Sequence, residues 1–243
     1  MEDKEERTYN ERCADVYDQW FGHFDEAAVD VLEELAGGGR ALELGIGTGA
    51  VALPLAARGV EVHGIDSSAE MVARLRAKPG GDAIPVTFGD FAEVNVEGEF
   101  SLVFVVYNTL FALQTQEEQV RCFRNVAARL RPGGAFVVEA FVPDLAQLSA
   151  GQGVRLLHMT DERVGIRVYQ HDPVRQKMKS RQVVFTDGGT RVFPVEVRYA
   201  WPPELDLMAQ LAGLRLRHRW GGWRREEFTA RSEKHVSVYE RPA

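Results

Sequence analysis

Cysteine is scarce: Cys13 and Cys122 are the only two in 243 residues, too few for a disulfide framework. Cys122 sits in a segment of helical periodicity, where a free thiol behaves as a small buried hydrophobe. Basic charge is short too, with 29 Lys and Arg against 36 Asp and Glu and a formal net charge of -7. That balance argues against a nucleic-acid partner, whose affinity comes from clustered cations neutralising phosphates. The one basic run, Arg215, Arg217, Arg219, Arg224 and Arg225, reads as the solvated face of a late strand and turn. Apolar runs of membrane-spanning length are missing, and the charged opening segment lacks the apolar core of a signal peptide. The expectation is therefore a cytoplasmic chain with no membrane partner. No His, Cys and carboxylate cluster at ligand spacing is visible, so no metal is expected.

What is present is an alternation of strands and helices. Ala28, Val31, Leu32 and Leu35 recur at helical spacing from Asp25 to Leu35 and stop at Gly37-Gly38-Gly39. Arg40 to Leu44 predicts a strand, Ala50 to Arg58 a helix, and Val60 to Ile65 a strand ending at Asp66. Ser67 with Glu70, and Thr115 with Glu118, have the spacing of capping boxes opening helices to Lys78 and Leu130. Strands are expected at Ile84 to Phe88, Phe100 to Val106 and, after the helix-breaking Arg131-Pro132-Gly133-Gly134, at Ala135 to Phe141. Nearly all-apolar strands at this rhythm predict a doubly wound α/β parallel sheet covered on both faces.

After Pro143 the period changes to two. Val154 to Met159, Arg163 to His171, Lys177 to Thr186 and Arg191 to Trp201 predict an antiparallel β meander, with Asp187-Gly188-Gly189 as a turn. A helix at Glu204 to Ala212 and strands at Leu214 to Trp220 and His235 to Arg241 would then complete the sheet. The expected organisation is one domain: a helical cap at 1–37, a ligand-binding core at 38–143, an inserted lid at 144–201 and completion of the core at 202–243.

Glu43-Leu44-Gly45-Ile46-Gly47-Thr48-Gly49 lies between the first strand and the following helix, where residues without a Cβ let the backbone turn tightly and approach a ligand. The segment also satisfies the looser dinucleotide fingerprint, with Asp66 at the ribose-binding distance. On that reading the chain is an NAD(P)-dependent oxidoreductase. Glu43 at the strand end opposes it, because a carboxylate repels a pyrophosphate.

With its ordered motifs the chain resembles the class I S-adenosylmethionine-dependent methyltransferase family, over most of residues 10 to 142. Residues 41–49 look like that family's glycine motif. Gly64-Ile65-Asp66-Ser67-Ser68 with Met71 resembles its ribose and adenine edge, and Phe88-Gly89-Asp90-Phe91 its third-strand adenine contact. Leu130-Arg131-Pro132-Gly133-Gly134 is similar to its turn before the fifth strand. The resemblance implies S-adenosyl-L-methionine as cofactor. That donor carries no phosphate and presents an ammonium and a sulfonium, which suit the acidic floor formed by Glu43. It also implies that Asp66 takes the ribose hydroxyls, that Asp90 and the Phe91 amide contact adenine, and that Met71 packs on the adenine face. Tyr107 and Asn108 would line the methyl-transfer centre. Val16-Tyr17-Asp18 resembles the Tyr-Asp element that closes over the donor, which makes Tyr17 and Trp20 donor contacts. The absence of an Asn-Pro-Pro-Tyr type sequence after the fourth strand disfavours DNA-base and protein-glutamine acceptors.

Methyl transfer from a sulfonium is an in-line displacement, so alignment matters more than a catalytic base. A hydroxyl acceptor would benefit from a base, for which Tyr107, Glu139, His158 and His171 are candidates. Each histidine also fits a polar position on the solvent face of a strand. A roofing meander restricts the acceptor to a small amine, amino sugar or other natural product, methylated on N or O. Arg155, Arg163, Arg167 and Arg181 are candidates to hold an anionic group. A non-catalytic S-adenosylmethionine-binding protein is the other alternative, and the expected state is a monomer or homodimer.

Overall fold

The structure, a computed structural model, describes residues 17–20, 25–144 and 151–243, with only the backbone of residues 19 and 20. The expectations placed on Cys13, Val16 and the Trp20 side chain lie outside the described residues. The element order is α1 (Tyr17–Trp20), α2 (Glu26–Ala36), β1 (Ala41–Leu44), α3 (Ala52–Ala57), β2 (Val62–Asp66), α4 (Ala69–Arg76), β3 (Val86–Phe88), β4 (Phe100–Val105), α5 (Gln116–Arg129) and β5 (Leu130–Phe141). It continues with β6 (Gln152–Met159), β7 (Arg163–Asp172), β8 (Lys177–Thr186), β9 (Gly189–Arg198), α6 (Pro202–Leu211), β10 (Arg215–Trp220) and β11 (Lys234–Glu240).

Seven strands form one sheet in the order β10-β11-β5-β4-β1-β2-β3. The first five strands run parallel, and β11 and β10 are added antiparallel. The period-two alternation of the strands sends Leu42, Leu44, Val103, Val105, Phe136 and Val138 to one core with Phe123 and Val126 of α5 and Leu205 of α6. Ala41, Leu102, Phe104 and Val137 face the other core, with Val29 and Leu32 of α2 and Leu55 of α3. Burial on both faces explains why the strands are almost continuously apolar.

Helix ends follow local chemistry. Asp25 caps α2 and Gly37 closes it in the left-handed conformation. Thr115 and Glu118 form the expected reciprocal box at α5. The cap of α4, however, is Ser68 rather than Ser67: Ser68 Oγ accepts from Met71 N at 3.3 Å, and Ser67 is exposed. Asp66 Oδ1 accepts from Ser68 N at 2.8 Å, which carries the turn one residue further before the helix begins. The turn at residues 131–134 is likewise absorbed into β5. Gly133 N donates to Arg241 O and Arg241 N to Gly134 O, so strand pairing starts at Leu130.

The meander is a separate four-stranded sheet, β6-β7-β8-β9. Its end is bolted to the core by Arg198, which is 5% exposed. That guanidinium donates to Gln119 Oε1 on α5 and Glu204 Oε1 on α6, both at 2.6 Å. Tyr169, Ser180, Gln182, Val184 and Phe193 are buried on one face. The opposite face exposes Val154, Leu156, Met159, Val168, Phe185 and Val192. The register puts Arg155 opposite Arg167 on the buried face and Arg181 beside Val168 on the exposed one.

Candidate active site

β1 and β4 are neighbours, yet the chain leaves them for opposite edges of the sheet. The crevice at such a switch point, beyond the carboxyl ends of the strands, is where α/β sheets bind ligands. The glycine loop crosses it. Gly45, at φ 73°, lies where a Cβ would meet Thr109 Cγ2 at 2.5 Å, so no side chain fits. At Gly47, φ 53°, a Cβ would meet nothing nearer than Gly45 O at 4.0 Å, which leaves the loop open on its ligand side. Asp66 Oδ2 accepts from Gly47 N at 2.7 Å and Oδ1 from Ser68 N, fixing the carboxylate under the loop. Burial raises its pKa, against the opposing pull of the Ser68, Gly47 and Ser67 amides.

Glu43 forms the floor. It is 3% exposed, and its Oε2 has no hydrogen-bond partner. Burial, then the neighbouring Asp66, holds its pKa well above the ordinary carboxylate range, with only the Ala52 amide opposing. Two acidic groups sharing one buried corner favour the neutral form of one of them, and a pyrophosphate there would add to the repulsion.

The wall comes from the loop after β4. Tyr107 and Asn108 adopt φ 55° and 66°. Glu139 Oε2 accepts from Tyr107 N at 3.1 Å and Lys234 Nζ pairs with Oε1 at 3.2 Å. Asn108 Oδ1 accepts from Phe141 N at 2.7 Å, committing that side chain to β5. The pKa of the Tyr107 phenol is pushed up by burial and then by the charges of Glu139, Tyr17, Glu43 and Asp25. Met71 is buried on α4, while Asp90 is exposed with Oδ1 accepting from Ala92 N at 2.8 Å. Phe91 is half-buried against the core.

The structure thus gathers Tyr17, Glu43, Gly45, Gly47, Asp66, Tyr107, Asn108 and Glu139 around the strand ends. His171 and His158 have contacts of their own in the meander. His171 Nε2 bonds Tyr199 Oη at 2.9 Å. The His158 ring lies over Gly165, where a Cβ would meet it at 2.2 Å. Burial and Arg163 lower its pKa. The basic run is neutralised by carboxylates: Arg215 and Arg217 pair with Glu240, Arg219 with Asp206, Arg224 with Asp25 and Arg225 with Glu34. Sequence reasoning missed Lys234, which only strand pairing brings to Glu139. It also missed the grip on Asp18 by Thr48 and Lys78, whose only signal was the Tyr-Asp element itself.

A methyltransferase domain family matches residues 41–134. The cypemycin N-terminal methyltransferase of a Streptomyces species is 30% identical over 203 residues, 82% of either chain. The solved CcbJ methyltransferase of Streptomyces caelestis is 40% identical, with a TM-score of 0.90 over 97% of this chain and 98% of that one. CalS10, an amino pentose methyltransferase from Micromonospora echinaspora solved with S-adenosylmethionine bound, shares the fold at 24% identity, with a TM-score of 0.68 over 93% of this chain and 96% of that one. The chain belongs to the class I S-adenosylmethionine-dependent methyltransferases, in their small-molecule branch. As a member of that family its cofactor is S-adenosyl-L-methionine, which removes the dinucleotide reading of the glycine loop. No helix among the described residues is long and apolar enough to cross a membrane.

Proposed function

We propose that the chain transfers the methyl group to a nitrogen of a small-molecule acceptor, an amine on an amino sugar or comparable natural product. The observation that carries this reading is the acidic character of the crevice. Glu43, Asp66 and, paired with Lys234, Glu139 lie near the carboxyl ends of β1, β2 and β5. Such a lining attracts a protonated amine and stabilises cationic charge. The bound ammonium gives its proton to solvent or to a carboxylate of the lining before the nitrogen attacks, so no buried histidine is required beside it. The cypemycin relative is named an N-terminal methyltransferase, and an N-terminus offers an amine.

Bound in the crevice, S-adenosyl-L-methionine supplies an already activated methyl group. In this reading Glu43 holds its ammonium, Asp66 the ribose, and Asp90, Phe91 and Met71 the adenine edge, while Ser67 flanks the ribose turn. Tyr17 and Tyr107 enclose the reacting end, and Glu139 positions Tyr107 through its backbone. Strands β6 to β9 roof the crevice and keep water out.

The test is turnover of S-adenosylmethionine to S-adenosylhomocysteine with matched panels of small amines and alcohols, the products read by mass spectrometry. Methylated amines are expected. Methylation confined to hydroxyls would overturn the nitrogen assignment, and donor binding without turnover on any member would favour a non-catalytic binding protein.

A further inference from the structure

Helix α1 is one turn of four residues, Tyr17–Trp20. Among the described residues, Asp18 anchors it to the core. Thr48 Oγ1 donates to Asp18 Oδ1 at 2.6 Å. Lys78 Nζ pairs with Asp18 Oδ2 at 2.7 Å and donates to Thr48 O at 2.8 Å. Thr48 is 1% exposed and belongs to the glycine loop. Lys78 lies just beyond α4, the helix that starts from the Asp66 turn. One ammonium therefore ties together α1, the loop under the donor and the helix behind it. Arg76 and Asp82, by contrast, form an ordinary exposed pair at 3.8 Å within one stretch of chain.

Neighbouring side chains on a helix point about 100° apart, so pinning Asp18 against the loop turns Tyr17 toward a different direction. Tyr17 lies near enough to Tyr107 to raise the pKa of its phenol, behind burial and Glu139. We propose that Asp18 and Lys78 are positioning residues: clasped through Thr48 to the glycine loop, they hold Tyr17 over the donor, so that donor affinity depends on a lysine at the loop's outer side. This inference rests on the donor-site reading above.

The test is a double-mutant cycle on S-adenosylhomocysteine and S-adenosylmethionine affinity by calorimetry. Lys78→Met alone is expected to weaken binding about five- to tenfold, with Lys78→Arg restoring it to within about twofold and the melting temperature of both near wild type. In a Tyr17→Ala background Lys78→Met should cost less than about twofold. Thr48→Val, which keeps shape and removes the hydroxyl, should behave as Lys78→Met does. Fully additive losses, or wild-type affinity in Lys78→Met, would overturn the latch while leaving the donor site intact. Failure of the unaltered protein to bind either ligand would instead overturn the donor-site reading.

Discussion

The backbone NH of Tyr107 donates to Glu139 Oε2 at 3.1 Å, tying the loop after β4 to the neighbouring strand. Lys234 holds the second carboxylate oxygen from β11. Tyr107 and Asn108 both occupy left-handed backbone conformations, which cost non-glycine residues about 1–3 kcal/mol each and persist only under such support. Glu139→Ala is expected to lower kcat at least tenfold, with donor affinity changed less, because a small displacement of a lining side chain misaligns attack. Glu139→Gln keeps an acceptor for the Tyr107 amide and should recover about half or more of the wild-type rate. Steady-state kinetics of the two variants checks this, and equal losses would assign the role to the charge instead.

Glu43 sets stability against binding. Its pKa is raised in the folded chain, so the native state binds more protons than the unfolded one. Its contribution to stability is full below the ordinary carboxylate range and is lost as pH rises through the raised value. Glu43→Gln should therefore raise the melting temperature of the donor-free protein at neutral pH while weakening S-adenosylmethionine at least about tenfold. Donor binding to the wild type should also release a proton in mildly acidic buffer, read by calorimetry in buffers of different ionisation enthalpy. A variant that binds as tightly as wild type would remove Glu43 from the ammonium site.

His235 works in the opposite direction. It is fully buried on β11 with Nδ1 on Ser237 Oγ at 2.9 Å, and burial followed by Arg219 lowers its pKa to about 4. The folded value lies below the ordinary 6.5, so the native state binds fewer protons and stability is lost as pH falls from about 6.5 toward 4. The full loss is about 3 kcal/mol at 1.4 kcal/mol per unit. Urea denaturation of wild type and His235→Gln across that window should show the acid limb flattened in the variant. An unchanged limb would place the sensitivity elsewhere.

The outer face of the meander carries Val154 and Met159 at 67% and 71% exposure beside Leu156, Val168, Phe185 and Val192. A sheet face this apolar drives association in water. Light scattering after gel filtration is expected to show a dimer that weakens on dilution, and Leu156→Glu with Phe185→Glu should yield a monomer that still binds S-adenosylmethionine. A wild-type monomer at all concentrations would contradict this.

Much of the core was legible because its signals are local. The Thr115 and Glu118 spacing, the glycine loop and the switch from helical to period-two patterning each come from residues close in sequence. The one-residue error at Ser67 arose where a tertiary commitment, Asp66 holding Ser68 N, moved the helix start. Arg131 to Gly134 stop the helix as expected, but residue 241 pairs with Gly133 and Gly134 and draws them into the strand. In the site, Glu43 and Asp66 could be picked out by position on strand ends. Lys78, 30 residues from Thr48, and Lys234, 95 from Glu139, carry no pattern of their own, since only folding brings them to their partners.

The placement of β11 between β5 and β10 has a consequence for synthesis. Residues Lys234–Glu240 leave the ribosome after the whole meander, yet they form the strand that covers the edge of β5. Until they emerge, the nascent sheet ends in an open, strongly apolar edge, the kind that recruits other chains. The seam closes by a contact of long sequence separation, which is slow. Chaperone occupancy during translation should therefore peak after β5 is exposed and fall only when β11 is released.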